Sequence, residues 1–123
     1  MTDDVTEQRE PSRAQVLSDL GTLSMRSERE GDVHTLHLSG ELDLATAGDV
    51  QRELEQVEAT DAESIVLDLS ELTFMDSTGV RLLVTAHARA RADSDRLTLL
   101  RGGRAVQRIL QLSGVEALLP FAD

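Results

Sequence analysis

Ser64-Ile65-Val66-Leu67-Asp68-Leu69, followed after four residues by Phe74-Met75-Asp76-Ser77-Thr78-Gly79-Val80, decides the architecture. The first run is apolar at nearly every position and reads as a buried strand. The second run opens a helix. Asp and Ser accept the free N–H groups of a first turn. Val80, Leu83, Val84 and His87 then recur at helical spacing. This predicts a helix from about Ser77 to Ala92, with those four residues on its inner face. A strand that turns sharply into a helix is the front half of a crossover unit.

The flanking sequence continues the alternation. Upstream, Ala47, Val50, Leu54 and Val57 form an apolar stripe, with Asp49, Arg52, Glu53 and Glu55 off it. This is an amphipathic helix that Thr46 or Asp43 can cap. Before it, Gly40-Glu41-Leu42-Asp43 breaks the pattern of a strand over Val33 to Ser39. In that strand Leu36 and Leu38 share one face, and Val33, Thr35 and His37 share the other. Thr22 to Glu30 reads as a first strand, joined through the Gly31-Asp32 turn into an antiparallel hairpin. Downstream, Asp93-Ser94-Asp95 ends the long helix, and Arg96 to Leu100 is a short strand. Gly102-Gly103 turns the chain, and Val106, Ile109, Leu110 and Leu112 mark a third helix ended by Gly114. Leu118, Leu119 and Phe121 are expected to dock a short tail. The order is strand, strand, helix, strand, helix, strand, helix. It implies an α/β domain with a mixed, mostly parallel sheet, an N-terminal antiparallel hairpin and helices packed against it.

The expected division is an acidic, flexible N-terminal extension over residues 1–21 and one folded domain over 22–123. Met1 to Ser12 lacks apolar periodicity and has the polar, charged composition of chains that do not fold alone. Val16, Leu17 and Leu20 are spaced for a short helix before Gly21.

Composition narrows the function. The chain has 123 residues, enough for one core, and only 2% are aromatic, so Leu, Val, Ile and Ala must fill it. A net charge of −11 sets the chain against a polyanion, and few aromatic rings are present to stack bases. Nucleic acid is therefore not an expected partner, whereas a basic protein surface fits. The absence of cysteine removes thiol nucleophiles, thiolate metal sites and disulfides, and fits a reducing cytoplasmic setting. No apolar run approaches the roughly 20 residues of a membrane span, and the N-terminus lacks the basic end and apolar middle of a signal peptide.

The Asp76-Ser77-Thr78-Gly79 corner carries the chemistry. One cap needs one side chain, yet two hydroxyls follow the acid. Gly79 stands in the first turn although glycine costs about 1 kcal/mol relative to alanine there. The sequence reading is that Gly79 leaves the surface bare for a close approach. A phosphate on Ser77 would meet the N–H groups and positive end of a helix. Asp76 beside it would repel the phosphate, and Arg81 lies one helical turn on.

Gly40-Glu41-Leu42-Asp43, Val66-Leu67-Asp68-Leu69-Ser70, Phe74 to Val80 and Leu112-Ser113-Gly114-Val115 together resemble the STAS domain of bacterial anti-sigma factor antagonists. The resemblance covers roughly Thr22 to Phe121. It implies a non-enzymatic switch protein, one that regulates sigma-factor-dependent transcription in the cytoplasm. Ser77 would be phosphorylated by an anti-sigma factor serine kinase and restored by a serine phosphatase. The unmodified form would bind the kinase and free the sigma factor. Asp43, Asp76, Thr78, Gly79 and Arg81 are the implied partner-binding residues, and Thr78 is a second possible acceptor. Many relatives carry a small residue in place of Arg81. The alternative is a STAS scaffold subunit of a stress-sensing or transport assembly.

Other constellations are weaker. His34 and His37 are three apart in a strand and point to opposite faces, so no shared metal is expected. His87 reads as a packed core residue. Gly102-Gly103 lacks a phosphate-loop pattern, and no Gly-x-Ser-x-Gly elbow makes Ser77 a hydrolase nucleophile. No catalytic residue, cofactor, metal or membrane partner is expected.

Overall fold

The computed structural model describes the backbone of Arg13–Asp19 and the whole of residues 22–122. Its elements are β1 (Arg13–Asp19), β2 (Leu23–Glu30), β3 (Val33–Leu42), α1 (Ala47–Glu58), β4 (Ser64–Met75), α2 (Ser77–Ala92), β5 (Leu97–Leu100) and α3 (Arg104–Leu112), followed by a 3-10 turn at Glu116–Leu118. The strands form one sheet in the order β1-β2-β3-β4-β5. β1, β2 and β3 pair antiparallel, while β3, β4 and β5 pair parallel. The sheet is mixed, as the order of elements requires, with helices in the two parallel crossovers.

Period-two and helical patterning both converge on one core. Leu36 and Leu38 are fully buried, whereas Val33 on the opposite parity is exposed. Ile65, Leu67 and Leu69 of β4 join Leu97 and Leu99 of β5, and the α1 stripe Ala47, Val50, Leu54 and Val57 is buried throughout. Leucine supplies most of the largest fully buried side chains, at about 1.5–3 kcal/mol of burial each. The sparse aromatics therefore weaken nothing essential.

Four expectations change. The first concerns the segment before Gly21. Val16 and Leu17 lie in β1, a strand paired with β2 and irregular between Val16 and Ser18, not in a helix. Leu20 falls outside the described residues, as do residues 1–12. Local spacing fitted a helix, but the open edge of β2 offers a full ladder of backbone partners, and tertiary pairing overrides local pattern. The second concerns strand length. β3 runs through Gly40 to Leu42, and β4 runs to Met75. Gly40 makes the extension possible at φ +104, where a Cβ would strike the Thr22 carbonyl oxygen, the same oxygen that accepts the Glu41 N–H at 2.6 Å.

The third correction concerns α2. Its buried face is Gly79, Val80, Leu82, Leu83 and Ala86. Val84 is 39% exposed and His87 is half-buried, so neither is a core residue. The helix sits one position rotated from the predicted stripe because Gly79 faces inward. The fourth concerns the C-terminal segment. Leu112 and Leu118 are exposed, at 73% and 67%. Docking of the tail instead uses backbone bonds between Leu99 and both Pro120 and Ala122, with Leu119 buried and Phe121 packed on the core. The tail thus covers the β5 edge.

Candidate functional site

Leu42 of β3 and Met75 of β4 are partners in the parallel ladder, and both strands end there. The next residues, Asp43 and Asp76, therefore emerge side by side at the carboxyl edge of the parallel strands. In open α/β sheets this edge is where ligands and partners bind. The Asp76 N–H donates to the Leu42 carbonyl oxygen at 3.2 Å, which ties the two corners together.

Asp76 is the N-cap of α2. One of its carboxylate oxygens accepts the Thr78 N–H at 2.9 Å and the Gly79 N–H at 3.3 Å. Its backbone oxygen accepts the Val80 N–H, so the first turn is held by its main chain and side chain together. Ser77 is exposed, and Thr78 is half-buried. Gly79 is buried, contrary to its sequence reading as a bare surface position. A Cβ there would come within 2.6 Å of Met75 Cγ and 3.0 Å of Leu42 Cγ. Gly79 lets the start of α2 settle onto the ends of β3 and β4.

The Asp43 loop is fixed from within. The Thr46 hydroxyl is buried. It accepts the Asp43 N–H at 3.0 Å and donates to the Glu41 carbonyl oxygen at 3.0 Å. The Asp43 carboxylate accepts the Ala45 N–H at 3.0 Å. Thr46 occupies the N-cap position of α1, but its hydroxyl turns back into the loop and caps no helical N–H. These bonds hold Asp43 half-buried and present Leu44 at 80% exposure.

A groove of about 280 Å³ runs between the starts of α1 and α2, lined by Leu44, Ala47, Gly48, Thr78, Arg81 and Leu82 among others. Thr78 and Arg81 therefore reach one surface with residues that sequence reasoning passed over. Leu44 is the main one, and its signal was present: a large apolar residue outside the α1 stripe, beside a turn. Arg81 is exposed. A second hollow of about 230 Å³ lies at the far end of α2, lined by Ile65, Ala90, Ala92 and Leu97, with the Glu58–Arg89 ion pair at its rim. None of the corner residues lines it.

A family model described as "Mlab, STAS domain" matches residues 25–120. The chain belongs to the STAS domain family. An anti-sigma F factor antagonist of Paenibacillus polymyxa is 28% identical over 82% of this chain and 87% of its own length. An anti-sigma factor antagonist from Mycobacterium paratuberculosis has a solved structure that superposes with a TM-score of 0.72 at 25% identity, covering 85% of this chain and 89% of that one. The unphosphorylated form of the anti-sigma factor antagonist SpoIIAA superposes with a TM-score of 0.65 at 24% identity, covering 80% of this chain and 88% of that one, and shares its fold. The STAS elements of this chain thus run through the matched region from β2 to the tail.

Proposed function

We propose that this STAS domain is an anti-sigma factor antagonist switched by phosphorylation of Ser77. The observation that carries the reading is the exposed Ser77 hydroxyl beside a helix cap already occupied by its own carboxylate. The similar anti-sigma factor antagonists supply the class of partner.

In the unmodified state Ser77 is small and neutral. The partner docks over Ser77, Asp43 and the groove that holds Thr78 and Arg81. A phosphate adds about −1.5 to −2 charges at one atom. The N–H groups of Thr78 and Gly79 that would otherwise cradle it already donate to Asp76. The phosphate therefore finds a carboxylate next to it instead of an open helix end, and it projects toward solvent. There it prevents docking by bulk, desolvation cost and repulsion, and it stays within reach of a serine phosphatase. Arg81, one turn further along α2, offsets part of that charge. The chain itself is the substrate of the kinase, not an enzyme, and acts in the cytoplasm.

The test is intact mass after incubation with ATP and each anti-sigma factor kinase of the source genome, followed by peptide mapping. One added phosphate on Ser77 supports the switch. No phosphate with any candidate favours the scaffold-subunit reading and leaves Asp76-Ser77 as a helix cap.

A further inference from the structure

Three strands are joined across the sheet by one imidazole. His37 Nδ1 lies 2.7 Å from Asp68 Oδ2, and His37 Nε2 lies 3.0 Å from Glu28 Oε1, linking β3 to β4 and to β2. Asp68 is a buried carboxylate at 8% exposure. Its second oxygen accepts the Ser70 N–H at 2.9 Å. Burial alone would raise the Asp68 carboxyl. The Ser70 N–H and hydroxyl and the His37 ring outweigh it and hold the group below the usual aspartate range.

That Ser70 bond falls on an irregularity in the ladder. His37 pairs with Asp68, but Ser39 pairs with Glu71, so β4 spends one residue more than β3 over this span. A second shift lies between Gly40 and Glu41, whose partners are Leu72 and Phe74, and the Thr73 hydroxyl there donates to the Gly40 carbonyl oxygen at 3.1 Å. Each bulge alone reverses the faces of every later side chain, because the strand repeat is two residues. The two together restore the alternation. Leu42 and Met75, ladder partners, then both point into the core, and the Asp76 N–H reaches the Leu42 carbonyl oxygen.

We propose that Asp68, held by His37 and Glu28, is a positioning residue for the Ser77 corner: it pins the first bulge of β4 and so sets the register that delivers Asp76 and Ser77 beside Asp43. The proposal rests on Ser77 being the functional residue, as set out above. It adds a determinant in mid-sheet, on side chains that touch neither Ser77 nor the groove. Asp68 acts through the backbone of β4.

The experiment compares the full chain with Asp68→Ala and Asp68→Asn by amide hydrogen exchange and by the rate of phosphorylation with the anti-sigma factor kinase. Asn keeps a side-chain oxygen for the Ser70 N–H. In Asp68→Ala, the Asp76, Thr78 and Gly79 amides should lose protection at least ten-fold while Val50 and Leu54 of α1 change less than three-fold. The kcat/KM for phosphorylation should fall at least ten-fold, and Asp68→Asn should stay within about three-fold of the parent on both readouts. Unchanged corner amides in Asp68→Ala, or a uniform loss across all amides, would overturn the proposal, because a merely structural role gives the second pattern. If Asp68→Ala does not fold, His37→Ala decides: selective loss at Asp76, Thr78 and Gly79 supports pinning, and an unmoved corner refutes it. The amide readout needs no kinase. A parent that takes no phosphate therefore counts against the Ser77 reading, while the register claim is judged on its own data.

Discussion

Asp76 donates its N–H to the Leu42 carbonyl oxygen, so the Ser77 corner of α2 is hung from the end of β3 and not only from its own strand. The Asp43 loop and the Asp76-Ser77 corner are therefore tied together through the backbone. A change on one side is felt on the other.

Gly79→Ala should destabilise the fold by up to about 2 kcal/mol. The added methyl overpacks against Met75 and Leu42, a cost of roughly 1–3 kcal/mol, against about 1 kcal/mol gained in helix propensity. Urea unfolding measures the difference. A stability equal to or above the parent's would show that Met75 swings aside at no cost and that Gly79 has no packing role.

Asp76→Ala should cost about 1 kcal/mol through loss of the cap to Thr78 and Gly79. Asp76→Ser should recover most of it, since serine also caps. Asp76→Ala should differ from the parent in a second way. With the carboxylate gone, the Thr78 and Gly79 N–H groups become open to a phosphate on Ser77, so phosphorylation should stabilise Asp76→Ala more than it does the parent. Melting temperatures of the four unmodified and phosphorylated species test this. An identical phosphorylation shift in both proteins would mean that Asp76 does not compete for the helix end.

The stretch Ser64 to Val80 carries the crossover, the cap and the exposed serine in its own pattern. Those features depend on local patterning and on side chains that act within one turn. The inward role of Gly79 was not legible, because a missing Cβ has no sign in sequence. What it avoids is Leu42, thirty-seven residues away. β1 was hidden for the same reason, since its pairing partner and not its own spacing makes it a strand. The groove needed both helices in place before Leu44 and Arg81 could be seen to share a surface.

His34 gives a pH-dependent stability. Burial, and then the nearby Arg29 charge, lowers its pKa below the usual histidine value, and its Nε2 meets the Ser27 hydroxyl at 2.6 Å. At pH well above 6.5 the ring is neutral in both folded and unfolded chains and contributes no slope. As pH falls below that value the unfolded chain takes up a proton first. Stability is therefore lost from about 6.5 downward until the folded group also titrates. His34→Gln should flatten this part of the curve of melting temperature against pH. A parent and variant with parallel curves between pH 7.5 and 5 would refute the assignment.

Ser77→Asp and Ser77→Ala separate charge from size at the switch. Ser77→Asp adds one negative charge beside Asp76 on an exposed first turn. It should weaken binding to the anti-sigma factor at least ten-fold, or about 1.4 kcal/mol, which is less than a full phosphate because the charge is smaller and the side chain shorter. Ser77→Ala removes one hydroxyl from the same place. It should bind within about three-fold of the parent and resist inactivation by ATP and kinase. Added salt should restore part of the Ser77→Asp affinity, since repulsion between exposed charges is screened over roughly 8–10 Å at ordinary ionic strength. Affinities by calorimetry at two salt concentrations decide the matter. Equal binding by Ser77→Asp and the parent would place the interface elsewhere on the domain. Weak binding by Ser77→Ala as well would mean that the hydroxyl is itself a contact, and that the phosphate acts first by removing it.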